Sequence, residues 1–246
     1  MNAIVLAAGV ARRLAPLTDS THKCLLPVGD RPLLTRMLAA LAALGVTETV
    51  LVVGHRADQI RAVAGERFGE MPISYVDNPA YMRGSALSLY AARAYLSQPV
   101  LVMDADVLFA RELLRRLIAI PMPSALLVDR GFTDTGEEVK LYTRGDRIIA
   151  LGKKVVPDAW DSVGEGVGFL KCAPEAGGEL VRLLETVVDE SGGAAEYEDA
   201  VHLLVTRHPI GWADVTGLPW TEIDFVEDLR RAEADVLPRV LRLDAA

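Results

Sequence analysis

Ala3 to Ala7 is an unbroken apolar run that gives way at Ala8-Gly9 to a turn of small residues, the pattern of a strand buried on both faces. From Pro32 to Leu44 the apolar positions Leu33, Leu34, Met37, Leu38, Leu41 and Leu44 recur every three or four residues, and Gly45 stands where a helix ends. That spacing predicts a helix. Thr49 to Val53 is the next strand. The alternation predicts a helix over 58–68, a strand over 73–76, a helix over 85–96 and a strand over 100–103. Strands and helices in this order connect by right-handed crossovers and build a parallel sheet.

After Asp106 the texture changes. A helix over 111–120 is followed by short strand-like runs at 125–128, 138–142, 147–151 and 167–170, broken by Gly-Asp and Pro turns. Helices over 179–188 and 197–205, strands over 210–215 and 220–223, and a helix over 226–235 complete the pattern. No repeat, low-complexity tract or linker marks a boundary. The expected fold class is therefore α/β: a Rossmann-like mixed, mostly parallel sheet flanked by helices, with a smaller β-rich subregion, in a single domain over 1–246.

Composition narrows the function. With 51% hydrophobic residues among 246, the chain has the material for a core and lacks the polar bias of a disordered protein. Its 26 Lys and Arg against 34 Asp and Glu leave a net charge of −8, which repels polyanions, so nucleic acid is not an expected partner. Cys24 and Cys172 are too few for a disulfide framework, and no Cys/His cluster has zinc-ligand spacing. A reducing, cytoplasmic location is expected. The first apolar run precedes Arg12 and Arg13, the reverse of a secretory signal, and no apolar stretch approaches the ~18 residues of a membrane span. No membrane partner is expected either. The sequence leaves the oligomer open, a homodimer included.

Two places carry candidate chemistry. The segment Leu6-Ala7-Ala8-Gly9-Val10-Ala11-Arg12-Arg13-Leu14 follows a buried strand. Residues this small let the backbone approach a ligand, so that amides cradle an anion and arginines neutralise it. It is neither Gly-x-Gly-x-x-Gly nor Walker A, and on its own it also reads as a plain α/β connection. Asp104 and Asp106 stand two apart at the C-terminal end of a strand, where open α/β sheets bind ligands and paired carboxylates suit a divalent metal. Asp224 precedes the last helix and also reads as its cap, a role compatible with ligand binding. No Ser/His/Asp or Cys/His constellation is present.

Lys23-Cys24-Leu25-Leu26-Pro27-Val28-Gly29-Asp30-Arg31-Pro32-Leu33 follows the small-residue loop, and Met103-Asp104-Ala105-Asp106-Val107 ends a strand. Together these resemble the nucleotidyltransferase superfamily of sugar-nucleotide and MobA-like fold, which joins NTPs to phosphorylated small molecules. The family loop reads Leu-Ala-Ala-Gly-x-Gly-Ser/Thr-Arg-Leu. Here Arg13 aligns with the arginine, Ala11 and Arg12 replace Gly and Ser/Thr, and the family's Pro-Lys pair is His22-Lys23. If the loop keeps the left-handed backbone of that glycine, Ala11 is strained by roughly 1 kcal/mol.

The resemblance implies a role for each matching position. Leu6, Ala7, Ala8, Gly9, Val10, Ala11 and Arg12, with Asn78, Gly84, Ser85 and Asp104, would bind the nucleotide. Arg13 and Lys23 would hold its β- and γ-phosphates, Lys153 and Lys154 would reach the α-phosphate or the acceptor, and Asp106 and Asp224 would hold Mg²⁺. An acceptor oxygen attacks the α-phosphorus in line and expels pyrophosphate. A phosphate monoester with second pKa ≈ 6 is already mostly dianionic, so neither a protein nucleophile nor a general base is required.

Lys23-Cys24-Leu25, Ser85-Ala86-Leu87-Ser88-Leu89-Tyr90 and Glu222-Ile223-Asp224 are most similar to the compact phosphocholine-cytidylyltransferase-like branch. That implies CTP as one partner and a small phosphorylated alcohol or phosphonate as the other, with residues 1–110 forming the NTP half and 111–246 the acceptor half. Glu165, Lys171, Tyr197, Glu198 and Asp199 fall loosely at acceptor-side positions. Trp160, Tyr197, Trp212 and Trp220 are either part of an aromatic box for a quaternary ammonium or plain packing. Two alternatives stay open: a sugar 1-phosphate nucleotidyltransferase using UTP, GTP or dTTP, and a non-catalytic nucleotide-binding protein.

Overall fold

The structure, a computed structural model, describes residues 1–245. In its first half β1 (Asn2–Ala7) leads through 3-10 turns at Arg12–Leu14 and Lys23–Leu25 to the short hairpin β2 (Pro27–Val28) and β3 (Arg31–Pro32). Then come α1 (Leu33–Ala43), β4 (Thr49–Val53), α2 (Ala57–Ala64), β5 (Arg67–Phe68), β6 (Met71–Asp77), α3 (Ala86–Ala91) and β7 (Val100–Asp104). The second half runs β8 (Val107–Phe109), α4 (Arg111–Ala119), β9 (Ala125–Asp129), β10 (Lys140–Arg144), β11 (Arg147–Gly152) and the long β12 (Ser162–Cys172). It continues with α5 (Pro174–Glu190), α6 (Tyr197–Arg207), β13 (Gly211–Asp214), β14 (Trp220–Glu222), α7 (Val226–Arg231) and α8 (Leu237–Asp244).

Ala3, Val5 and Ala7 of β1 pack into one core with α1 and α4, whereas Ile4 points to the other face and packs with α3, α5 and α6. Alternation along one strand thus feeds two cores, which is why β1 is apolar from Ala3 to Ala7. β1 lies between β4 and β7, parallel to both, with Val5 opposite Leu51 and Met103, and β6 extends the parallel block beyond β4. The C-terminal ends of β1, β4 and β7 therefore share one edge.

β12 joins this block to the meander of the second half. It runs antiparallel to β7 and β9, and β9 is parallel to β13. Among the described residues ten strands form one sheet in the order β10-β11-β13-β9-β12-β7-β1-β4-β6-β5. The chain forms the expected α/β architecture, a large mixed sheet flanked by helices, but the sheet is not mostly parallel as expected: the parallel block is β6-β4-β1-β7, and the meander around β12 adds antiparallel pairings. Among the described residues no helix is long and apolar enough to cross a membrane.

Several boundaries differ from the sequence reading, each for a local reason. The helix expected over 58–68 stops at Ala64 because Gly65 leaves helical space with φ 65°, and Arg67–Phe68 folds back on β6. The helix expected over 85–96 breaks at Ala92, after which residues 93–97 tighten into a 3-10 turn. β12 extends well past 167–170, since Gly164, Gly166 and Gly168 hide its alternation while packing against Asp129, Leu141 and Asp104. The helix expected over 226–235 instead passes through a π turn at Ala232–Val236, and Pro238 sits in the first turn of α8, where proline is tolerated.

β8 and β14 form a small antiparallel ladder of their own, Trp220 opposite Phe109 and Glu222 opposite Val107. It continues one step further as the Ile223 N–H donates to the Asp106 carbonyl at 3.0 Å. This ladder brings two distant acidic segments together.

Candidate active site

A cleft of about 1030 Å³ opens at the C-terminal ends of β1 and β7, bounded by the loop after β1, the middle of β12, the start of α6 and the end of β14. In the loop, Ala11 has φ 53° and ψ 52°, the left-handed conformation expected of the glycine it replaces. Thr18 Oγ1 donates to its carbonyl at 3.1 Å and helps hold it there.

The next turn presents Lys23. Its Nζ lies 2.7 Å from Asp106 Oδ2 and 2.5 Å from Asp224 Oδ1. Burial opposes the ammonium charge, but the two carboxylates overcome this and hold the Lys23 pKa above its ordinary value. The Arg13 guanidinium also donates to Asp224 and stacks 4.8 Å over the Phe225 ring. Arg13, Lys23, Asp106 and Asp224, singled out from distant segments, thus meet at one point.

A third carboxylate, absent from the sequence reading as a ligand, completes the group: oxygen atoms of Asp106, Glu222 and Asp224 all lie within 4.8 Å of one another. Glu222 is exposed, yet desolvation within this acidic group and the charges of Asp106 and Asp224 push its pKa up to about 8. Asp106 Oδ1 is buried without a hydrogen-bond partner among the described residues. Oxygen-only donors, one of them unpartnered, in a crowd of like charge fit a hard divalent cation. The signal for Glu222 was its spacing of two from Asp224, which puts both on one side of an extended segment.

Asp104 and Asp106, read as a pair, face different partners. Asp104 accepts the Tyr197 hydroxyl at 2.8 Å and presses on Gly168, where a Cβ would come within 2.3 Å of Asp104 Oδ2. Burial and the charge of Asp106 raise its pKa well above the usual carboxylate range.

A smaller recess of about 380 Å³ adjoins the cleft, lined by Leu6, Ala8, Gly9, Val10, Arg12, Tyr81, Met82 and Ser85, with Asp104 and Asp106 on the shared wall. Ala7 lines the main cleft. Ser85 locks the recess to α6: its N–H donates to Glu196, and its Oγ accepts the Tyr197 N–H, both at 2.9 Å.

Asn78 and Gly84, expected as nucleotide contacts, are both engaged within the chain itself. The Asn78 amide is buried, with Nδ2 donating to Ser88 Oγ and Oδ1 accepting the Ala80 N–H, both at 2.9 Å. Gly84 is a packing glycine, since a Cβ there would lie 1.9 Å from the Ala195 carbonyl oxygen. Both shape the segment that borders the recess, and among the described residues they line neither cavity. Of the lysine pair, Lys153 lines the cleft with Nζ 3.6 Å from Glu137, while Lys154 is exposed and lies off it. Lys171 is also structural: buried under α4, it donates to the Ile120 carbonyl at 2.6 Å.

The far end of the cleft is acidic. Glu165 of β12 is paired across the sheet with Asp129 of β9. Burial, then Glu138 and Asp129, push the Glu165 pKa up to about 7. Asp129 accepts the Trp220 indole N–H at 2.8 Å, setting that ring in the wall. Tyr197 and Trp220 line the cleft, whereas Trp160 packs edge-on to Tyr142 and Trp212 donates to the Gly145 carbonyl.

Comparison with known proteins follows the same lines. The model of the MobA-like NTP transferase domain matches residues 3–130. The chain is 34% identical over 240 residues to a CMP-5'-(3-aminopropyl)phosphonate synthase of Streptomyces rubellomurinus, covering 95% of this chain and 38% of that protein. It is 29% identical over 233 residues to a 2-aminoethylphosphonate cytidylyltransferase of Lancefieldella rimae, covering 93% of this chain and 90% of that one. The chain spans about half or less of the length of several other curated relatives it matches. The solved CTP:phosphocholine cytidylyltransferase from Streptococcus pneumoniae has the same fold, with a TM-score of 0.72 at 22% identity over 94% of this chain and 97% of that one.

Proposed function

The chain belongs to the MobA-like NTP transferase domain family, and from that premise we propose that it is a Mg²⁺-dependent cytidylyltransferase. It moves CMP from CTP onto a small phosphorylated or phosphonate acceptor and releases pyrophosphate. The observation that carries this reading is the convergence of Arg13, Lys23, Asp106 and Asp224 on one cleft at the C-terminal edge of the sheet.

Each residue has a part in that chemistry. The loop amides, Arg13 and Lys23 hold the β- and γ-phosphates and stabilise the charge that develops on the leaving pyrophosphate. Asp106 and Asp224, joined by Glu222, would hold the metal, which when bound would neutralise phosphate charge. Lys153 orients the acceptor's anionic end. Residues 1–110 serve the nucleotide and 111–246 the acceptor.

A backbone carbonyl of the recess beside Ala8 and Ser85 that accepts the exocyclic amine of cytosine would, with uracil, set acceptor against acceptor. That mismatch costs ~1–3 kcal/mol per buried unpaired group, roughly 5- to 150-fold in kcat/KM. At the other end, Asp129, Glu138 and Glu165 beside the Trp220 ring suit an ammonium group. The acceptor is therefore an amine-bearing phosphonate or phosphate ester, in keeping with the aminoalkylphosphonate names of the relatives.

Pyrophosphate release, measured for each NTP against 2-aminoethylphosphonate, 3-aminopropylphosphonate, phosphocholine and glucose 1-phosphate, tests the reading. CTP with an amine-bearing acceptor should lead. UTP, GTP or dTTP leading with glucose 1-phosphate would replace this reading with a sugar-nucleotide one, and no turnover with any pair would leave a non-catalytic nucleotide-binding protein.

A further inference from the structure

His22 occupies the place of the family proline before Lys23, and the residue is only 3% exposed. Nδ1 accepts the Cys24 N–H at 3.2 Å and faces Cys24 Sγ at 3.1 Å, capping the turn that presents Lys23. A ring whose Nδ1 accepts carries its proton on Nε2. The backbone is fixed as well: the His22 N–H donates to Gln59 Oε1 at 3.0 Å, and Gln59 Nε2 donates to the Ser20 carbonyl at 2.8 Å.

Nε2 is buried and has no hydrogen-bond partner among the described residues. The ring neighbours the backbone of Gly9 in the loop after β1, and both residues line the cleft. Burial first, then the nearby His55 ring and Lys23, lower the imidazole pKa to about 4, which keeps the ring neutral at neutral pH. A native fold rarely leaves a buried donor open without cause. The atom beside it belongs to the loop that must close around a triphosphate.

We propose that His22 is a positioning residue for nucleotide binding: with the triphosphate in place its Nε2–H closes on the Gly9 carbonyl and locks the loop to the turn that carries Lys23. One side chain then sets two phosphate-holding segments against each other, Nδ1 fixing the lysine turn and Nε2 fixing the loop. The inference rests on the reading of these segments as the triphosphate holders. Proline at this position has neither group.

The test combines a spectroscopic signature with two variants. In protein labelled with ¹⁵N-histidine, His22 should show the Nε2–H tautomer. Adding a non-hydrolysable CTP analogue with MgCl₂ should move its Nε2–H resonance downfield and slow its exchange with water. By calorimetry His22→Asn, whose amide oxygen keeps the cap but whose side chain does not reach Gly9, should bind the analogue about fivefold more weakly. His22→Gln, which restores an N–H at that reach, should recover most of the affinity. A wild-type protein that binds no analogue would sink the nucleotide reading and this inference with it. Wild-type binding with an unmoved Nε2–H resonance, or full affinity in His22→Asn, would overturn the role of His22 alone.

Discussion

Asp106 and Asp224 lie in distant segments of the chain, yet their carboxylates share one ammonium, the Nζ of Lys23, at 2.7 and 2.5 Å. The link is the β8–β14 ladder, whose last hydrogen bond joins the Ile223 N–H to the Asp106 carbonyl. Lys23 thus supplies the charge between two carboxylates that a divalent cation would otherwise supply.

Removing that charge should have opposite effects on two observables. Lys23→Ala, like Arg13→Ala, should lose on the order of 10²-fold or more in turnover, because charge on the leaving pyrophosphate goes unneutralised. Without nucleotide, however, Lys23→Ala should bind Mn²⁺ more tightly than wild type, since the ammonium no longer competes for Asp106 and Asp224. Asp106→Asn and Asp224→Asn should lose both turnover and Mn²⁺ binding while keeping the wild-type circular dichroism spectrum. Weaker Mn²⁺ binding in Lys23→Ala, read by calorimetry, would contradict the competition.

Ala11 adopts φ 53° without the freedom of glycine. Ala11→Gly should relieve roughly 1 kcal/mol of strain, partly offset by the greater entropy of the unfolded chain, for a net gain of less than about 1 kcal/mol. Ala11→Val should destabilise, because a β-branched residue fits this backbone worse still. Urea unfolding of the three proteins decides it. A loss of stability in Ala11→Gly would mean that the turn is unstrained.

Gly84 offers a test of packing against ligand contact. A methyl group there would meet the Ala195 carbonyl, which is backbone and cannot swing aside. Gly84→Ala should cost about 1–3 kcal/mol by overpacking, visible as a lower urea midpoint even without nucleotide. Unchanged stability with a raised KM for CTP would restore the direct nucleotide contact that the sequence suggested.

What was legible in the chain follows a physical division. Asp106 ends a contiguous apolar strand, so local pattern located it, whereas Arg13 and Lys23 were singled out by the resemblance of the segments that carry them; strand order brings all three to one edge. Glu222 was harder to see because β14 is three residues long, too short for a period to emerge, and its role depends on pairing with β8. Asn78 and Gly84 are ambiguous in the sequence because turn-formers and ligand-binders are the same residue types; their contacts with Ser88, Ala80 and Ala195 exist only in the fold. β12 was underestimated for a related reason. Its glycines look like loop punctuation, yet two of them make room for Leu141 and Asp104.

Glu165 ties the acceptor end of the cleft to pH. Its pKa is raised from 4.5 in the unfolded chain to about 7 in the fold, through burial and the neighbouring Glu138 and Asp129. A carboxyl whose folded pKa is raised contributes stability that is fully present below about 4.5 and is lost as pH climbs through about 7. Since the group is partly open to solvent, the loss is screened to about 1–2 kcal/mol. Glu165→Gln should therefore match wild type at low pH and be the more stable protein at pH 8. The same ionisation prepares the site for an ammonium group, so the affinity for 2-aminoethylphosphonate should rise from pH 6 to pH 8, with proton release on binding at pH 6 and 7. Glu165→Gln should flatten that rise. Chemical unfolding at pH 5 and pH 8, with calorimetry in buffers of different ionisation enthalpy, measures both effects. A constant stability difference between the two proteins across this range would remove Glu165 as the titrating group. PH-independent acceptor affinity in the wild type would remove it as the ammonium partner.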